Sequence, residues 1–153
     1  MEKGINSYIL EKFGIEPKDV RSYSPLTLAY IGDGVYDLII RSMVVGKGNA
    51  RVNEMNRRTS EIVKAHAQSQ LIGRLMPELT EEELAVYKRG RNAKSATVAK
   101  NATVVDYRRA TGLEALIGYL YLQDRTERMM ELILMGLDES GKGEEDALRG
   151  VDD

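Results

Sequence analysis

SPLTLAYIGDGVYDLIIR (Ser24–Arg41) is apolar almost throughout, yet it carries an aspartate, Asp33, near its centre. Ser24 followed by Pro25 is a helix start: a side chain that can cap, then a residue whose φ is already set for the first turn. Leu26, Ala29, Tyr30, Tyr36, Asp37 and Ile40 recur at helical spacing about Asp33. The acid is therefore expected on or beside the buried face, where a lone carboxylate is unfavourable unless a partner or a metal satisfies it. Gly32 and Gly34 flank it. Each costs roughly 1 kcal/mol against alanine inside a helix, which implies a close approach to the backbone.

A second stretch answers the first. YRRATGLEALIGYLYL (Tyr107–Leu122) is another apolar helical run, with one buried-looking acid, Glu114, and with Gly112 and Gly118 near it. Two such helices packed face to face bring two carboxylates to one point. Hard divalent cations such as magnesium favour oxygen ligands of this kind.

Composition narrows the chemistry. The chain has 153 residues, enough for one domain with a proper core. It has no cysteine, which removes disulfides, thiolate zinc sites and a cysteine nucleophile. His66 is the single histidine, which argues against a multi-histidine metal site or a Ser-His-Asp triad. The start, MEKGINSYIL, lacks the apolar core of a signal peptide, and no apolar run is long enough to span a bilayer. A cytoplasmic protein is expected. From Asp138 to Asp153 there are seven acids against two bases, so a net charge of −2 divides into −5 for this tail and +3 for the rest. The tail is Gly-rich and without apolar periodicity, and is expected to be disordered. Residues 1–137 are expected to form a single domain.

The remaining pattern is helical. Ile5–Phe13 reads as a short amphipathic helix ended by Gly14, and the Ser24 helix runs on to about Val45. Gly46-Lys47-Gly48 closes it, and Asn49 is placed to cap the next helix. Residues 50–76 read as one long helical segment, broken near Thr59 and stopped by Pro77. His66 lies on it as a polar or interface residue. Thr80 and Glu83 form a capping box and Leu79 with Leu84 a hydrophobic staple, so Glu81–Glu83 mark a helix start running to about Arg89. Arg125–Leu137 supplies a last apolar stripe. No alternating strand pattern is present. The fold class is all-α, of about six or seven helices.

KRGRNAKSATVAKN (Lys88–Asn101) is basic, rich in small residues and weakly periodic. From Lys88 to Arg109 seven bases face one acid, Asp106. It suits a solvated loop, and equally a loop in which Arg89, Arg91, Asn92, Lys94, Ser95 and Lys100 contact a phosphate backbone. Arg57, Arg58 and Arg108 are secondary contacts. On the residues alone, Asp33 and Glu114 serve either as a structural hydrogen-bond centre or as a metal site acting on a phosphodiester.

LAYIGDGVYDLIIR resembles the signature helix of the ribonuclease III family, with its Gly-Asp pair leading into an apolar helix. LEALIGYLYL is similar to the second family motif, a glutamate before Ala-Leu-Ile-Gly, and KRGRNAKS resembles a segment of the short, nuclease-only Mini-ribonuclease III branch. The resemblance spans about Ser24 to Leu122. It implies an all-α, homodimeric endoribonuclease domain that cuts double-stranded RNA with magnesium, manganese being a substitute, and leaves 5′-phosphate and 3′-hydroxyl ends. It implies Asp33 and Glu114 as catalytic and metal-binding residues, and the precursor of large-subunit (23S) ribosomal RNA as substrate. The sequence departs from full-length ribonuclease III in three ways. No double-stranded-RNA-binding domain is expected after Leu137, where the chain reads as a short acidic tail. Leu26 and Ala29 stand where the first motif has glutamates, and Thr111 stands where an aspartate precedes the glutamate. Fewer carboxylates imply weaker metal binding or more water in the shell. The same departures suit a non-catalytic RNA-binding or ribosome-assembly module, and a helical protein–protein adaptor is a third reading.

Overall fold

A computed structural model describes residues 3–93 and 103–139. Seven α-helices and no strand occur among the described residues: α1 (Ile5–Lys12), α2 (Pro25–Gly46), α3 (Val52–Val63), α4 (Ala65–Leu75), α5 (Glu81–Asn92), α6 (Val104–Leu122) and α7 (Thr126–Glu139). Single 3₁₀ turns, Val20–Ser22 and Met76–Glu78, precede α2 and α5.

The α6 helix is the axis of the domain. Ala110–Leu113 and Ala115–Leu120 are all buried, so its middle is enclosed on nearly every side. Its most extensive neighbour is α2, with α5 and α4 next. The glycines explain how α2 comes so near. A Cβ on Gly32 would lie 1.7 Å from the carbonyl oxygen of Glu114, and a Cβ on Gly118 would lie 2.0 Å from that of Leu28. The two helices thus touch backbone to backbone. A second clasp of the same kind joins α5 to α6: a Cβ on Gly90 would lie 2.7 Å from the Ala115 Cβ, and one on Gly112 would lie 2.6 Å from the Tyr87 ring. Gly34, by contrast, faces open space. The close approach belongs to one of the two glycines beside Asp33.

Local signals set most boundaries. The Ser24 hydroxyl accepts from the Thr27 N–H at 3.2 Å. Thr80 and Glu83 form both halves of their capping box, at 3.1 and 2.9 Å. Gly14, at φ +65°, lets the Ile15 N–H reach back to the Leu10 carbonyl and closes α1. Three boundaries differ from expectation. The long segment breaks at Lys64 (φ −62°, ψ 154°), not near Thr59, which is buried within α3. Asn49 does not cap α3; Arg51 holds that position with no side-chain cap. The α5 helix continues to Asn92, because its last turn carries Arg89 and Arg91 at the negative end of the helix dipole and Gly90 is packed against α6.

One ion pair fastens α7. Glu83 is 1% exposed, and Arg128 donates to both of its oxygens at 2.8 Å and to the Glu78 carbonyl at 3.1 Å. The capping glutamate therefore does two tasks, and the Arg128 guanidinium holds its carboxyl below the usual range. Residues 140–153, most of the acidic stretch expected to be disordered, lie outside the described residues.

Candidate active site

Asp33 and Glu114 meet where the backbones meet. Gly32 precedes Asp33 on α2, and the carbonyl crowding Gly32 is that of Glu114 itself. The two carboxyl groups lie within hydrogen-bonding reach of each other. Burial, reinforced by the Asp33 carboxyl, pushes Glu114 from 4.5 up to about 8, while an N–H from Gln68 pulls the other way. Without a cation, Glu114 is thus a neutral acid at neutral pH, hydrogen-bonded to the Asp33 carboxyl.

The two acids differ in exposure. Glu114 is half-buried, whereas Asp33 is exposed at the rim of the α2 contact face. Asp33 thus lies beside the buried face. The buried line is Leu28, Ala29, Gly32, Val35, Tyr36, Ile40 and Val44; of the positions expected on it, Leu26 is exposed and Tyr30, 82% exposed, points to solvent. A glycine-centred contact rotates the face away from where bulky apolar residues alone would put it. Asp37 lies one turn further on, and its carboxylate accepts from the Arg41 Nε at 2.6 Å. Thr111 is buried, and its hydroxyl donates to the Tyr107 carbonyl at 3.0 Å.

Sequence reasoning missed Gln68 on α4. It is 3% exposed. Its Nε2 donates to the Val63 carbonyl at 2.8 Å and to Glu114 Oε2 at 3.3 Å, and its buried Oε1 has no hydrogen-bond partner among the described residues. Among the described residues no group of three or more His, Asp or Glu side chains is placed to hold a metal. Two carboxylates nevertheless fit magnesium, which retains several waters and needs one or two carboxylates.

The family model of the Ribonuclease III domain matches residues 26–125. The chain belongs to the ribonuclease III family. It is 47% identical over 131 residues to Mini-ribonuclease 3 of Clostridium tetani, covering 83% of this chain and 87% of that one. Identity is also 47% with Mini-ribonuclease 3 of Brevibacillus brevis, over 76% of this chain and 87% of the relative. The crystal structure of protein FN1578 from Fusobacterium nucleatum superposes with a TM-score of 0.72 at 34% identity, covering 77% of this chain and 96% of that one. The all-α ribonuclease III fold expected from the sequence is the fold observed, and the family is one of endoribonucleases.

The described part of the basic segment of this ribonuclease III domain is helical. Arg89, expected near the end of α5, and Arg91 and Asn92, expected beyond it, all occupy its last turn, while Lys94 and Lys100 lie outside the described residues. Arg89 is exposed. Arg91 is half-buried: its guanidinium lies 5.7 Å from the Tyr87 ring centroid and its Nε donates to Asn92 Oδ1 at 3.2 Å. Arg57 and Arg58 both engage Glu54, and Arg108 is exposed. His66 is an exposed polar residue whose Nδ1 lies 2.9 Å from Asp106 Oδ2. That bond, with one from Ser69, lowers the Asp106 carboxyl. No described helix is long and apolar enough to cross a membrane.

Proposed function

We propose that this chain is a magnesium-dependent endoribonuclease that cleaves double-stranded RNA as a homodimer, with Asp33 and Glu114 as its catalytic, metal-binding pair. Manganese substitutes for magnesium. The observation that carries the reading is the carboxyl pair: two acids from separate helices, brought within hydrogen-bonding reach at a glycine crossing, in a ribonuclease III domain. A purely structural role accounts poorly for a carboxyl held against its solvation preference beside a second one at the surface.

Asp33 faces solvent and meets the phosphodiester side. Asp33 and Glu114 would hold the cation together, Glu114 as its carboxylate. The bound cation supplies charge stabilisation at the phosphate oxygens and an activated water. Water adds at phosphorus and the bond to the 3′ oxygen breaks, which leaves a 5′-phosphate and a 3′-hydroxyl. Arg89, Arg91 and Asn92 on α5, with Lys94 and Lys100 beyond it, form the phosphate-contacting side, since an A-form duplex is bound mainly through its shape, phosphates and 2′-hydroxyls. The homodimer is supported by apolar exposure on α2: Tyr30, Leu26 and Leu38 all stand in solvent. We read its place of action as the cytoplasm and its substrate as the precursor of 23S ribosomal RNA.

The test is cleavage of a long RNA duplex by wild type and by Asp33→Asn, in magnesium and then in EDTA. Wild-type cleavage stopped by EDTA, with duplex binding but no cleavage by Asp33→Asn, supports the reading. A folded wild type that binds duplex and leaves it intact in magnesium or manganese overturns it in favour of a binding module.

A further inference from the structure

We infer that Gln68 is a positioning residue of this centre, which holds a water against the Glu114 carboxylate through its side-chain carbonyl. The inference rests on the reading of Asp33 and Glu114 as the metal-binding pair.

A glutamine this deeply enclosed has four hydrogen-bonding positions to satisfy, two N–H and two lone pairs. Both N–H groups are used, on Val63 O and Glu114 Oε2. The Val63 carbonyl only accepts, so it fixes which end of the amide is nitrogen. That carbonyl belongs to the last residue of α3, and the backbone turns away at Lys64. The helix break therefore supplies the acceptor that orients Gln68. The remaining group is Oε1, buried and without a partner among the described residues. Buried polar atoms without a protein partner are the positions that ordered water occupies.

Distance allows the water's second contact. Amide bond lengths place Oε1 about 2.3 Å from Nε2. With Nε2 at 3.3 Å from Glu114 Oε2, the two oxygens are at most about 5.6 Å apart. A water donating both hydrogens, with bonds of about 2.8 Å, bridges acceptors about 4.4 Å apart, inside that limit. Both groups accept when Glu114 is ionised, so the water donates both hydrogens to protein. Its lone pairs then face away, toward whatever electrophile the site holds. In a centre with two carboxylates most of a cation's ligands are waters, and Gln68 fixes one of them.

The experiment compares wild type, Gln68→Met, Gln68→Asn and Asp33→Asn, each checked for fold by circular dichroism. The readouts are manganese affinity by titration calorimetry and the separate kcat and KM for an RNA duplex. Gln68→Met keeps the volume and removes every polar atom. It is expected to weaken manganese binding and to lower kcat by about 10- to 100-fold each, with KM changed less than about twofold because the side chain is enclosed. Should Gln68→Met not fold, Gln68→Asn, which withdraws the amide by one methylene, is expected to lower kcat by at least about tenfold with KM unchanged. Folded variants with wild-type manganese affinity and kcat overturn the inference, as does an equal fall in both kcat and RNA affinity. If Asp33→Asn abolishes cleavage while the Gln68 variants do not, Gln68 alone is misassigned. If Asp33→Asn also leaves cleavage intact, the carboxylate centre itself fails and Gln68 falls with it.

Discussion

Replacing Glu114 by glutamine should make the metal-free protein more stable, and only at high pH. The substitution keeps the shape and removes the charge. In the folded protein burial and the Asp33 carboxyl push Glu114 up to about 8, against 4.5 in the unfolded chain. Between those values the folded state keeps a proton that the unfolded chain releases, so stability falls as pH rises and levels off above 8. At about 1.4 kcal/mol per pH unit the difference between pH 5 and pH 9 has a ceiling of about 4 kcal/mol. Relaxation and water at the half-open site reduce this to about 2 kcal/mol, or about 4–8 °C in Tm for a chain of this size. The assay is thermal unfolding of wild type and Glu114→Gln in EDTA at pH 5 and pH 9. The variant should exceed the wild type at pH 9 by several degrees more than at pH 5. Adding magnesium at pH 9 should raise the wild-type Tm and leave the variant nearly unmoved, since ligand stabilisation needs the site. A Tm difference independent of pH would refute the reasoning, because burial would then not be holding the proton.

Three further outcomes concern other parts of the molecule. Gly32→Ala should prevent native packing, at a cost above about 4 kcal/mol, since its Cβ would lie 1.7 Å from a main-chain oxygen; Gly34→Ala, in open space, should instead gain up to about 1 kcal/mol, and equal melting temperatures for the two would sink the crossing argument. Arg128→Met leaves Glu83 buried without its partner and should cost about 3–5 kcal/mol, most of it recovered by adding Glu83→Gln; a destabilisation that the second substitution does not relieve would contradict this. Because Arg128 holds the Glu83 carboxyl low, the pair's stabilisation is present above about pH 4.5 and disappears as pH falls through the depressed value. Arg89→Ala should weaken duplex binding and lower the slope of log affinity against log salt by about 1, with kcat at saturation unchanged; an unchanged slope would remove Arg89 from the RNA-facing side.

The elements that announced themselves in the sequence are those built from local chemistry. Ser24-Pro25, the Thr80–Glu83 box and Gly14 each act within one helical turn, so a short window contains all that fixes them. The Asp33–Glu114 pairing was also legible, because an acid among apolar residues and glycines is costly without a long-range reason. The break at Lys64 was not. No proline or glycine marks it; it is stabilised by a glutamine one turn later, whose amide reaches back to Val63 and across to α6. Gln68 itself carries no signal in a single sequence, since a polar residue on a helix is usually solvated. The outward turn of Leu26 and Tyr30 was hidden for a related reason. The contact face of α2 is centred on Gly32, and glycine registers as neither apolar nor buried until a partner backbone is in place. The reach of α5 to Asn92 was obscured by Gly90, which breaks helices in isolation and here is required by the fit against α6.

The paired glycine crossings bear on how this domain can change over time. Where helices rest on side chains, each leucine-to-methionine exchange in the core moves their axes by some fraction of an ångström, and anything mounted on them drifts. Here α6 rests main chain against main chain on α2, at the residues that carry the acids, and is held almost as closely by α5 on another side. Such contacts are hard stops. A change of size at Leu113, Leu116 or Leu120 then costs packing energy before it shifts the span between the two carboxyls, so the interior's losses fall on stability ahead of the chemistry at the rim.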